Sequence, residues 1–205
     1  MACTYQRTAA FRLPSLAPSL TTNARFGAQW NSRPFQVSPL KMTSADFEMR
    51  LHEKNIVLPK AAPPAANYVP YIVSGNYVYI AGQIPMIDGE LKHKGKVPTD
   101  YSTDEAYQCA RLCGLNIISQ LKAACGGNLN QVKRIVKLVG FVNCQPDFYD
   151  IPKVINGASD LMVEVFGDAG RHARSAVGSV SLPLNVPTEV EAIVELRSAP
   201  GGQGV

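Results

Sequence analysis

The chain has 205 residues, 46% hydrophobic and 18% charged, which suits a soluble globule of one domain, or at most one and a half. Its formal net charge of +4 suggests a polyanionic partner, but the excess sits at one end. Residues 1–41 carry Arg7, Arg12, Arg25, Arg33 and Lys41 and no acid, leaving 15 bases against 16 acids in residues 42–205, a net of −1 with no basic footprint for DNA or RNA.

That first segment is rich in Arg, Ser, Thr and Ala and has no long apolar run, the composition of an organelle transit peptide; an ordinary disordered tail is the alternative. A mitochondrial address is expected, with a plastid as the other destination. Met42 opens "MTSADFEMR", so a second start there would give an untargeted cytoplasmic form. No stretch reaches the ~20 apolar residues that a membrane crossing needs.

"SADFEMRLHEK" (44–54) reads as a short lead-in helix opened by Ser44 or Asp46. "YIVSGNYVYIAGQ" reads as two strands turning at Gly75-Asn76. The strongest helix signal begins at Ser102, which has capping-box spacing to Glu105. Ala106, Cys109, Ala110, Cys113, Ile117 and Leu121 form its apolar stripe, and Gly126 or Gly127 ends it. "RIVKLVGFVNC" is a β-branched strand. The next helix starts at Pro152 and ends near Gly167, with Val154, Leu161, Val165 and Phe166 facing the core. "ARSAVGSVSL" and "TEVEAIVEL" are the last two strands, and the tail 198–205 is expected to be disordered.

The five cysteines, Cys3, Cys109, Cys113, Cys125 and Cys144, show no metal-ligand spacing and suit small buried hydrophobes in a reducing compartment. Neither a P-loop nor a GxGxxG follows a strand, so no metal or organic cofactor is expected.

The order β-β-α-β-α-β-β gives an α+β sandwich, a mixed sheet with two helices on one face, over residues 55–197. "YVYIAG" and "EVEAIVEL" carry apolar residues that cannot all face those helices, and a second copy of the chain is the natural cover for the other sheet face.

Within "HARSAVG", Arg174 sits among small residues of a strand. Such an arginine either snorkels to solvent, pairs with Glu189 or Glu191 across the sheet, or offers its planar fork to a ligand carboxylate. Strand alternation puts His172 on the same side, where a structural role is favoured over a ligand contact.

Taken in combination and order, "AANY", "SGNYVYIAGQIP", "INGAS", "HARSAVG", "LPL" and "EVEAIVEL" resemble the reactive intermediate deaminase family (RidA/YjgF, also labelled endoribonuclease L-PSP). The spellings "NYVPY", "VINGASDLMVEVFG" and "GRHARSAVG" look like a longer, divergent branch of it. The resemblance covers residues 55–197 and implies a chorismate mutase-like homotrimer with ligand clefts between subunits. It implies hydrolysis of 2-imino acids to 2-keto acids and ammonia, with Arg174 clamping the carboxylate and Glu189 placing the attacking water. Tyr68, Gly82, Asn156 and Ala176 would contact the substrate, Gly82 and Ala176 through backbone N–H groups. The family tyrosine stands in "GPY", here "ANY", and Ala176 replaces a cysteine, which removes any role for a thiol. The bland readings are a packed aromatic for Tyr68, a helix-polar residue for Asn156, a β-bulge for Gly82 and a solvated strand end for Glu189. Two further functions compete: a non-catalytic carboxylate-binding protein of the same fold, and a ribonuclease, against which the net charge of −1 and the lack of a histidine pair argue.

Overall fold

The computed structural model describes residues 46–63 and 66–199. The basic arm, Ser44, the Met42 start, Cys3 and residues 200–205 of the tail lie outside the described residues.

Helix α1 (Phe47–Glu53) opens at Asp46, whose carboxylate accepts the Met49 N–H at 3.0 Å. Phe47 and Leu51, four apart and so on one helical face, are both buried. The Phe47 ring meets Phe166 edge-on with centroids 5.0 Å apart. The lead-in helix is therefore part of the same hydrophobic core as the residues after 55.

Strands β1 (Tyr71–Ser74) and β2 (Tyr77–Gln83) form the expected hairpin, with Gly75 at φ 58° in its turn. A second, smaller hairpin follows, β3 (Met86–Ile87) with β4 (Glu90–Leu91). Its strands are too short to show alternation, so only the turn could have announced it. That turn is Asp88-Gly89, both at positive φ, an Asp-Gly pair of the kind hairpins select.

Helix α2 (Thr103–Ala124) has the reciprocal Ser102–Glu105 capping box, and its whole expected stripe is buried. Helix α3 (Ile151–Phe166) carries Pro152 in its first turn, stops at Gly167 and buries Val154, Leu161, Val165 and Phe166. The two helices lie against each other at Gly157, where a Cβ would stand 2.0 Å from the Tyr107 carbonyl oxygen. Only glycine permits that approach.

Strand β5 (Val132–Asn143) is connected through α3 to β6 (Ala173–Ser179), and the two run parallel, as a helical crossover requires. Strand β7 (Thr188–Leu196) inserts between β2 and β5, antiparallel to both. The mixed sheet has the order β1-β2-β7-β5-β6. Along β7, Thr188, Val190, Ala192, Val194 and Leu196 are buried under α2 and α3, while Glu189, Glu191, Ile193 and Glu195 point the other way. That other face, open in the single chain, carries large apolar side chains beside these glutamates. Ile72 is 59% and Tyr79 43% exposed, and Val177 joins them.

Candidate active site

Arg174 pairs with Leu138, which is fully buried beneath the helices, so its side chain leaves the edge strand β6 on the helical side. There its Nη1 donates to Asn156 Oδ1 at 2.8 Å and to Ser159 Oγ at 2.9 Å. Asn156 and Ser159 are three apart on α3, which puts them side by side on one face. His172 joins the same group. Its Nδ1 lies 2.6 Å from the Gly170 carbonyl and its Nε2 3.1 Å from Ser159 Oγ. A carbonyl oxygen only accepts, so Nδ1 carries the hydrogen. Burial, aided by the nearby Arg174 charge and opposed by the Gly170 bond, holds the imidazole below its ordinary pKa. Neutral His172 thus accepts the Ser159 hydroxyl at Nε2, and Ser159 turns a lone pair toward Arg174. Ala176 follows on the same side, beside Gly140, and packs against the core.

A second group forms where β2 meets β7. The β2–β7 ladder shifts between Ile80 and Gln83, so Gly82 stands in a bulge. A Cβ on Gly82 would fall 1.9 Å from Glu189 Oε1: the carboxylate lies directly against this glycine. Burial, then the like charge of Glu191 two residues on, raises the Glu189 carboxyl above the usual carboxylate range. Tyr68 and Gly82 line one narrow cleft with Gln83, Asn116 and Gln120. Helix α2 shapes its walls: Asn116 Nδ2 donates to the Ile84 and Met86 carbonyls at 2.9 and 3.0 Å, and Gln120 Nε2 donates to Ala62 O at 2.7 Å.

The two groups are separate within one chain. Arg174 occupies the helical side of β6, Glu189 the opposite side of β7, and β5 runs between them. Arg174 makes no ion pair among the described residues, so pairing with Glu189 or Glu191 is set aside. Asn156, read from the sequence as a substrate contact, touches Arg174 directly. Ser159 escaped the sequence reading; its spacing of three from Asn156 on a helix was the available signal. The described cysteines are buried, and burial pushes the Cys109 and Cys125 thiols up to about 11 and also raises Cys113 and Cys144, which suits packing better than nucleophilic work.

Residues 48–196 match the family described as "YjgF/chorismate mutase-like, putative endoribonuclease". The chain belongs to this YjgF family. Among YjgF relatives, Protein TCP17 of Trypanosoma cruzi is 45% identical over 77% of this chain and 98% of its own length. A 2-iminobutanoate/2-iminopropanoate deaminase of Dermatophagoides farinae is 30% identical over 69% of this chain and 95% of its own. Protein MMF1 of Saccharomyces cerevisiae, named as mitochondrial, is 29% identical over 65% of this chain and 79% of its own. Of solved YjgF structures, Atu1372 of Agrobacterium tumefaciens, of unknown function, superposes with a TM-score of 0.69 at 46% identity, covering 75% of this chain and 94% of that one.

Proposed function

We propose that the protein hydrolyses reactive 2-imino acids to 2-keto acids and ammonia, in clefts between subunits of a homotrimer. The observation that carries this is the posture of Arg174. Its Nη1 is committed to Asn156 and Ser159, while its Nε and Nη2 edge has no partner among the described residues. That edge presents two parallel N–H donors, the match for a carboxylate. A substrate held there needs a water brought to the imine carbon. A carboxylate of raised pKa such as Glu189 is suited to take the water's proton as the C–O bond forms. The protonated Glu189 returns that proton to nitrogen, giving a carbinolamine. Glu189 then passes the carbinolamine's hydroxyl proton to nitrogen as the carbonyl forms and the C–N bond breaks, releasing ammonia and leaving the keto acid. Such imines hydrolyse unaided, so positioning supplies a useful share of the acceleration.

The separation of Arg174 from Glu189 within one chain supports a site assembled from two copies. So do the exposed apolar side chains of the open sheet face, where Ile72, Tyr79 and Val177 stand on the same side as Glu189 and Glu191. The protein is expected to scatter light as a trimer at micromolar concentration; a stable soluble monomer overturns both the trimer and the shared cleft. The acid-free basic arm and the mitochondrial relative together favour a mitochondrial address. Residues 1–41 fused to a reporter are expected to carry it into mitochondria, and a diffuse reporter speaks against targeting.

The decisive assay is ammonia release from freshly generated 2-imino acids by the purified protein, compared with the uncatalysed rate. Keto-acid binding without acceleration would favour the carboxylate-binding alternative over the enzyme.

A further inference from the structure

We propose that Ser159 and His172 are positioning residues that fix which edge of Arg174 receives the ligand. The chain of contacts has a single direction. The Gly170 carbonyl at 2.6 Å selects the Nδ1–H form of His172. The bare Nε2 at 3.1 Å then takes the Ser159 hydroxyl hydrogen. With its hydrogen committed, Ser159 Oγ offers lone pairs only, and Arg174 Nη1 at 2.9 Å donates to it. Asn156 Oδ1 takes another Nη1 hydrogen at 2.8 Å. With Nη1 held from both sides, the guanidinium plane is fixed and the Nε–Nη2 edge is the one left for a ligand. The alternative edge, Nη1 with Nη2, is closed to a bidentate ligand.

The serine is the pivot of this arrangement. Without its hydroxyl, Arg174 keeps Asn156 but loses the second anchor, and the imidazole loses its link to the guanidinium. Without the imidazole, the Ser159 hydroxyl is free to rotate, and Arg174 faces an acceptor whose lone pairs are no longer oriented. His172 therefore acts on the ligand only through Ser159. This sets it apart from an independent cleft contact and from a histidine that merely fills space. The proposal rests on the reading of Arg174 as a carboxylate receptor.

The test is a set of calorimetric titrations with 2-oxobutanoate, a simple keto acid, on the full-length protein and its Arg174→Ala, Ser159→Ala, Ser159→Thr, His172→Phe and Ser159→Ala/His172→Phe variants. Ser159→Ala is expected to weaken binding about tenfold, the scale of one hydrogen bond to a charged group. Ser159→Thr, which returns the hydroxyl, is expected to recover most of that loss. His172→Phe should weaken binding several-fold in the wild-type background and add nothing in the Ser159→Ala background, because coupled residues are not additive. Nitrogen-15 NMR should show His172 protonated at Nδ1 and bare at Nε2 at neutral pH. Additive effects of the two substitutions, wild-type affinity in Ser159→Ala, no recovery in Ser159→Thr or an Nε2-protonated His172 would each overturn the relay. If Arg174→Ala binds 2-oxobutanoate as tightly as wild type, the carboxylate reading falls and the relay with it. If Arg174→Ala loses binding while Ser159→Ala does not, the relay alone falls.

Discussion

Arg174→Ala is expected to lower kcat/KM for imine hydrolysis by about ten- to a hundredfold or more, and to weaken keto-acid binding in parallel. The lost interaction is a charge-assisted pair worth about 1.5–3 kcal/mol, and each ~1.4 kcal/mol is a factor of ten. Arg174→Lys should recover little. An ammonium is a point charge, and it cannot hold Asn156 and Ser159 on one side while presenting two parallel donors on the other. The fold should survive both changes, because Arg174 is only half-buried on an edge strand. Steady-state kinetics and calorimetry on the same preparations check the result. Unchanged binding and turnover in Arg174→Ala, with assembly intact, would make the arginine an ordinary strand residue and remove the site.

Glu189→Gln is expected to separate binding from chemistry. The amide keeps the shape against Gly82 but accepts no proton, so turnover should fall about a hundredfold or more, the usual scale of a general base, with keto-acid affinity kept. A Gln variant with wild-type turnover would assign the proton transfer elsewhere. The raised pKa of Glu189 also has a pH consequence. The base works only when ionised, so wild-type activity should decline on the acid side at a pH above the ordinary carboxylate value of 4.5. Glu191→Gln removes the like charge and should move that decline to lower pH, although burial, the larger cause, remains. Stability should follow the same sign. Glu189 ionises less readily in the folded than in the unfolded chain, so the wild type loses stability as pH rises from 4.5 through the raised folded value. Glu189→Gln has no such loss. Its melting temperature should exceed that of the wild type at pH 7, and the gap should close on acidification toward 4.5.

Local signals in the chain determined much of this architecture. The Ser102–Glu105 box, the stripe of α2, Pro152 at the start of α3 and the alternation of β7 are nearest-neighbour patterns that fix element type and buried face before any tertiary contact forms. The apolar residues left over once the helices had covered one sheet face were legible for the same reason. What the order of elements along the chain could not determine was which strands become neighbours. Strand β7, last in sequence, lies between β2 and β5, and this alone sets Glu189 against the bulge at Gly82. The parallel pairing of β6 with β5 likewise sends Arg174 to the helical side. There His172, which strand alternation had put on the same side, and Ser159, which the sequence did not single out, join it through contacts made across 13 and 15 residues. Hydrogen-bond direction depends on partners that only the folded chain brings within 3 Å or so. The residue types were therefore readable from the sequence, and their pairing was decided by the fold.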